Sequence, residues 1–161
     1  MIEIAESDFS SIDSFPLKWR WTDSRWNKLP LADLNEIKPL IETKADELCQ
    51  HSLQFCNQSG LKTSLFEQIE EVNTSLAEEE IIQQWLLNCS PNLNQSVIVS
   101  WDNNRAVLVN WKVFCKYWDD FCYPASDDVE IFPLTEEWML SYSHSEYFIF
   151  GIHSNGHKSV P

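Results

Sequence analysis

Hydrophobic and polar positions change period twice along this chain. Phe15, Leu17, Trp19 and Trp21 fall on alternate positions, which predicts a short strand or extended arm within an N-terminal segment, 1–30, that otherwise has no steady period. After Pro30 the spacing turns helical. Leu31, Leu34 and Ile37 predict a short helix, Pro39 a break, and the run Leu40, Ile41, Ala45, Leu48, Cys49, Leu53 and Cys56 a longer helix ending near Gly60. Leu65, Phe66 and Ile69 predict one further helical piece, and Ile81, Ile82, Trp85 and Leu86 another. Ser75 stands three residues before Glu78, the spacing of a capping box, and Glu78-Glu79-Glu80 reads as first-turn charge favourable to the helix dipole. Ser90-Pro91-Asn92 then closes a helical half, 31–90.

From 96 to 151 the period becomes two. Val97–Trp101 and Arg105–Val109 are β-branched runs joined by Asp102-Asn103-Asn104, and they predict a hairpin. Asn110 is placed to cap a helix whose inward face is Trp111, Phe114, Cys115, Trp118, Phe121 and Cys122. Val129–Phe132, Trp138–Tyr142 and Tyr147–Phe150 predict three more strands, and 152–161, including Ser154-Asn155-Gly156-His157, a loose tail. The expectation is a single α+β domain with a C-terminal β-β-α-β-β-β unit. Its antiparallel sheet has about five strands, one face of it covered by helices.

Composition supports a packed core rather than a stapled one. The 161 residues suffice for one core, and 8 Trp, 9 Phe and 4 Tyr supply large rings to build it. The five cysteines include no C-x-x-C pair. Cys49 and Cys56, like Cys115 and Cys122, stand seven apart, which puts each pair on one helical face and predicts buried, reduced thiols. The N-terminal residues lack the basic and apolar regions of a signal peptide, and no apolar run approaches the ~20 residues of a membrane span, so a cytoplasmic location is expected.

Charge narrows the partners. Acidic residues outnumber basic ones 25 to 11, for a formal net charge of -14, and no Lys or Arg occurs from Tyr117 to His157. Such a surface repels nucleic acid and anionic membrane and attracts a basic protein. His144-Ser145-Glu146 has the H-x-E order of zinc deaminases without the P-C-x-x-C that should follow, so a turn is expected there. Asp119-Asp120 and Asp127-Asp128 offer paired carboxylates, but neighbours on a helix end diverge, and a solvated or partner-facing role is expected over a metal site. No phosphate loop, G-x-S-x-G elbow or H-E-x-x-H helix occurs, so the reading names no catalytic residue, metal ligand or cofactor.

The segments Leu29–Leu40, Val109–Trp118 and Trp118–Val129 resemble a family of small bacterial proteins of uncharacterised role, and the last also resembles immunity proteins of polymorphic toxin systems. That resemblance implies a cytosolic protein that binds and neutralises a cognate toxin domain, often a basic nuclease, through rim acids and an aromatic anchor. On this sequence those residues are Asp119, Asp120, Tyr123, Asp127, Asp128, Glu130 and Glu146. Two other classes stay open: a small enzyme, which requires a concave pocket of perturbed carboxyl groups, and an interaction module or homodimer, which requires an exposed apolar patch.

Overall fold

A computed structural model describes residues 1–154. Its strands are β1 (Lys38–Pro39), β2 (Cys56–Asn57), β3 (Gly60–Leu61), β4 (Phe66–Asn73), β5 (Ser96–Ser100), β6 (Ala106–Asn110), β7 (Val129–Pro133), β8 (Trp138–Ser143) and β9 (Tyr147–His153). The helices are α1 (Trp19–Thr22), α2 (Leu31–Leu34), α3 (Glu42–Leu53), α4 (Glu79–Cys89), α5 (Trp111–Lys116) and α6 (Trp118–Phe121), with short 3-10 turns between. The class is α+β, as the periodicity predicts. The sheet is larger than expected, with seven strands in the order β1-β6-β5-β7-β8-β9-β4, while β2 and β3 form a separate hairpin.

The two extra strands in the main sheet come from the part read as helical. Phe66–Asn73 is a strand against β9, with a register shift between Glu67 and Glu70 and Gln68 at φ 51°. That bulge interrupts the alternation of the strand, so Leu65, Phe66 and Ile69 fall at a spacing that imitates a helix turn. The N-terminal strand, conversely, is absent: Ser11 caps a 3-10 turn, Ile12–Ser14, and the chain then turns into α1. The buried side chains there are Phe15, Leu17, Arg20 and Trp21. α3 ends at Leu53, short of Gly60, and Ser75 belongs to a 3-10 turn held by Asn73 rather than to a capping box. β9 continues through Ile152 and His153, into the predicted tail; Asn155-Gly156-His157 lies outside the described residues.

The sheet is buried on both faces, not one. Val97, Val99, Val107, Val109, Ile131, Leu140, Tyr142, Phe148 and Phe150 face a core with Trp21, Ile82, Leu86, Trp111, Phe114, Trp118 and Phe121 from the helices. The alternate positions Ile98, Ala106, Phe132 and Met139 face a second core with Leu40, Ala45, Leu48, Leu61 and Phe66. Continuous apolar strands such as Ser-Val-Ile-Val-Ser follow from that double burial. The six positions expected on the inward face after Asn110 are all buried, and Asn110 Oδ1 accepts the Lys112 N–H at 3.0 Å as a helix cap.

The helix breaks at Tyr117, whose hydroxyl donates to Asp33 beside the Lys116–Asp33 ion pair. That break separates Cys115 from Cys122, while Cys49 on α3 and Cys56 on β2 are separated by the end of α3, and Cys49, Cys56 and Cys89 are half-buried rather than buried as expected. All five thiols are free; Cys115 and Cys122 are buried, and burial pushes the Cys89 thiol up to about 12. No described helix is long and apolar enough to cross a membrane.

Gly151 on β9 lies against Phe66 of β4 with no room for a side chain. A methyl group there would stand 2.8 Å from Phe66 Cβ. Gly151→Ala is expected to destabilise the fold by about 1–3 kcal/mol in urea unfolding, as overpacking does.

Candidate functional site

The strongest local constraint near the acidic segment is an ion pair. α1 turns Arg20 inward, where Nη1 and Nη2 donate to the Asp127 carboxylate at 2.6 and 3.3 Å. The same carboxylate accepts the Tyr123 N–H at 2.9 Å and the Ser126 hydroxyl at 3.2 Å, and the guanidinium lies 4.0 Å from the Tyr123 ring centre. Arg20 and Asp127 are both buried, so Asp127 holds the 122–128 loop to the N-terminal segment and presents no surface to a partner.

Glu130 is also removed from the binding set. It points to the second face of the sheet, where the Ser141 hydroxyl donates to it at 3.1 Å and the Cys56 thiol is a second hydrogen-bond partner of the enclosed carboxyl. Burial pushes its carboxyl up to about 8.

Three of the remaining residues meet. Asp119, Tyr123 and Glu146 line a cavity of about 490 Å³ together with Glu78, Glu79, Trp118 and Tyr142. α6 supplies Asp119, the tethered loop supplies Tyr123, and the β8–β9 turn supplies Glu146, held at φ 68°, a left-handed conformation more natural to Gly or Asn. The start of α4 closes the wall. Asp120 is buried beside the cavity, accepting from Asn27 Nδ2 at 2.6 Å. Asp128 is exposed on the neighbouring loop and accepts the His144 N–H at 3.0 Å, with His144 Nδ1 2.9 Å away, so the H-x-E triplet is a turn.

The electrostatics of the cavity are unbalanced. Burial, then the charge of Asp120, raises the Asp119 carboxyl above its ordinary value. The charge of Asp119 comes first in raising Glu79, followed by burial, and the two carboxyls lie within hydrogen-bonding reach. Between Lys62 and Arg105, and again between Lys116 and Lys158, the chain has no Lys or Arg, and every residue lining the cavity comes from those two stretches. Arg20, whose charge reaches Asp120 and Tyr123, is already paired with Asp127. Two like charges this close favour retention of a proton between them or recruitment of a cation.

Glu78 and Glu79 are the residues that the sequence reading left out of the site. Their run was visible but has a sufficient explanation in the helix dipole. Only the packing of α6 against the start of α4 brings Asp119 to them. A wider cavity of about 1030 Å³ lies beside α3, but it mixes Lys44 and His51 with acids and contains none of the predicted site residues. Among the described residues no group of three or more His, Cys, Asp and Glu is placed to hold a metal ion. Comparison with family models, curated proteins and solved structures finds no match.

Asp127→Asn should cost about 3–5 kcal/mol in urea unfolding, because it leaves Arg20 buried without a counter-charge, whereas exposed Asp128→Asn should cost less than about 1 kcal/mol. Glu130 gives a pH signature. Its folded value of about 8 lies above that of the unfolded chain, so the native state holds an extra proton between them and its stability falls as pH rises through that interval. The slope approaches roughly 1.4 kcal/mol per pH unit, and Glu130→Gln is expected to remove it in urea unfolding measured from acid to alkaline pH.

Proposed function

We propose that this chain is a binding protein for a basic protein partner, in the manner of an immunity protein that neutralises a cognate toxin domain, with the acidic cavity as its docking point. The observation that carries the reading is the cavity itself: a concave, aromatic-walled site with Glu78, Glu79, Asp119 and Glu146 and no Lys or Arg among its lining residues. A lysine or arginine side chain entering it exchanges water for carboxylates and ring faces, and it relieves the repulsion between Glu79 and Asp119. The surrounding negative field speeds the encounter, and the cavity supplies the anchoring pocket that such an interface needs. A nuclease-type toxin fits because a protein that grips phosphate presents clustered cations.

A small enzyme is the second reading, and one observation favours it. Two raised carboxyls in a concave site are the arrangement that general acid–base chemistry employs. The binding reading requires no turnover and explains the absence of Lys and Arg along both contributing stretches, which the enzyme reading leaves aside.

The test is calorimetric titration of this protein with the product of the adjacent gene, comparing wild type with a Glu79→Gln/Asp119→Asn variant. Both substitutions remove repelling charge and should leave the fold intact. The expected result is tight binding that weakens at least tenfold in the variant, loses salt dependence, and strengthens as rising pH ionises the raised Glu79 and Asp119 carboxyls. Equal affinity for both proteins contradicts the assignment. A Glu3→Gln/Glu6→Gln variant, altered outside the cavity, is expected to bind as wild type.

A further inference from the structure

The two edges of the sheet are finished differently. At one, β1 contains Pro39, which has no N–H to offer, and the N-terminal segment covers the edge: Ser10 N–H donates to Pro39 O at 2.9 Å, Ile41 N–H to Asp8 O at 2.8 Å, and Phe9 bridges Leu40. At the other, β4 pairs only with β9 among the described residues.

The hydrogen-bond parity of that open edge can be read directly. Thr74 N–H donates to Glu146 O at 2.8 Å and Ser154 N–H to Leu65 O at 3.1 Å, while His153 N–H turns the other way, to Glu137 O at 3.0 Å. With the register Glu70↔Phe150 and Val72↔Phe148, Glu70 and Val72 bond to β9, which turns the backbone groups of Glu71 and Asn73 outward. On the other side of the bulge the strand is irregular, so the regular outward segment is short.

The surroundings of this segment are specific in charge and in apolarity. Glu67, Glu70 and Glu71 lie on β4 itself, with no Lys or Arg from Thr63 to Asn104. Two of the exposed large apolar side chains, Ile69 at 38% and Leu76 at 82%, stand on and just beyond the strand. The strand also ends at the cavity, because Thr74, one residue past Asn73, lines it.

We infer that the open edge of β4 receives an extended, basic segment of the protein partner, which adds an eighth strand outside Glu70–Asn73. The inference rests on the binding function proposed above and extends it from the cavity to the adjoining edge. Main-chain hydrogen bonds from Glu71 and Asn73 supply the attachment, and the glutamates select lysine or arginine on the incoming strand. A second copy of this chain is excluded as the occupant by charge, since self-pairing would lay β4 glutamates against one another. An acidic, bulged edge also deters non-specific pairing, which makes the edge selective rather than sticky.

The experiment titrates isotopically labelled protein with a synthetic octapeptide of alternating lysine and valine, and with the same peptide methylated on alternate backbone nitrogens. The expected result is slowed hydrogen exchange at the Glu71 and Asn73 amides with the plain peptide, at least tenfold weaker binding of the methylated one, and weaker, less salt-dependent binding in Glu71→Gln. Equal binding of the two peptides overturns the inference, as does dimerisation of the free protein through this edge in sedimentation. Repeating the titration with Glu79→Gln/Asp119→Asn separates the two claims. Retained protection of Glu71 and Asn73 in that variant supports the edge even if the cavity fails, and protection that disappears with the cavity acids contradicts an edge that binds in its own right.

Discussion

The buried pair of Arg20 and Asp127 is the constraint from which the acidic end of the molecule takes its shape. It joins residues 107 apart in sequence, so the N-terminal segment cannot detach without leaving a charge in the core. Its consequence is positional. Asp127 also fastens Tyr123 through its N–H, and Arg20 supports the Tyr123 ring from below, so the loop after α6 is fixed at both ends. With that loop in place, α6 presents Asp119 to the start of α4 rather than to open solvent. One carboxylate is thereby consumed in structure while another is left facing the cavity.

A sheet buried on both faces explains why the acids stand at its edges, turns and helix ends. Strands with apolar side chains on both sides leave charged residues only the edges, the turns and the helix ends. Among the described residues Glu130 is the acid carried by an interior strand of the sheet, and burial raises its carboxyl to about 8, in line with the cost of enclosing a carboxylate. One group of acids gathers at β4 (Glu67, Glu70, Glu71), at the start of α4 (Glu78, Glu79, Glu80), on α6 (Asp119, Asp120) and in the β8–β9 turn (Glu146), where the Thr74–Glu146 backbone bond joins β4 to that turn, while others lie in the N-terminal segment and on α3. The β4 edge and the cavity are thus parts of one continuous surface.

Most of the sheet half was legible in the sequence because its signals are local. The Asp102-Asn103-Asn104 turn, the Asn110 cap and the three later strands each depend on a few neighbouring residues. The N-terminal half misled where a local pattern has two causes. Phe15, Leu17, Trp19 and Trp21 alternate like a strand, but the buried set includes Arg20, whose inward position depends on a partner in the distant loop. The bulge at Gln68 and Ile69 shifted the phase of β4 into a helical spacing. Composition locates the acids, but only tertiary pairing decides which are spent in structure. Asp127 and Glu130 were indistinguishable from Asp119 and Glu146 as letters. Glu79 carried a satisfactory local explanation that concealed its long-range one.

Whether a cation relieves the repulsion between Glu79 and Asp119, as proposed, is decided by carboxyl-detected NMR titration. Side-chain carboxyl shifts would be followed against pH in the free protein and again with Nα-acetyl-lysine methylamide as the cationic probe. Coupled titrations raised above the ordinary carboxylate range are expected in the free protein, with a return toward that range when the probe occupies the cavity. Independent titration of both groups at ordinary values, unmoved by the probe, would contradict it.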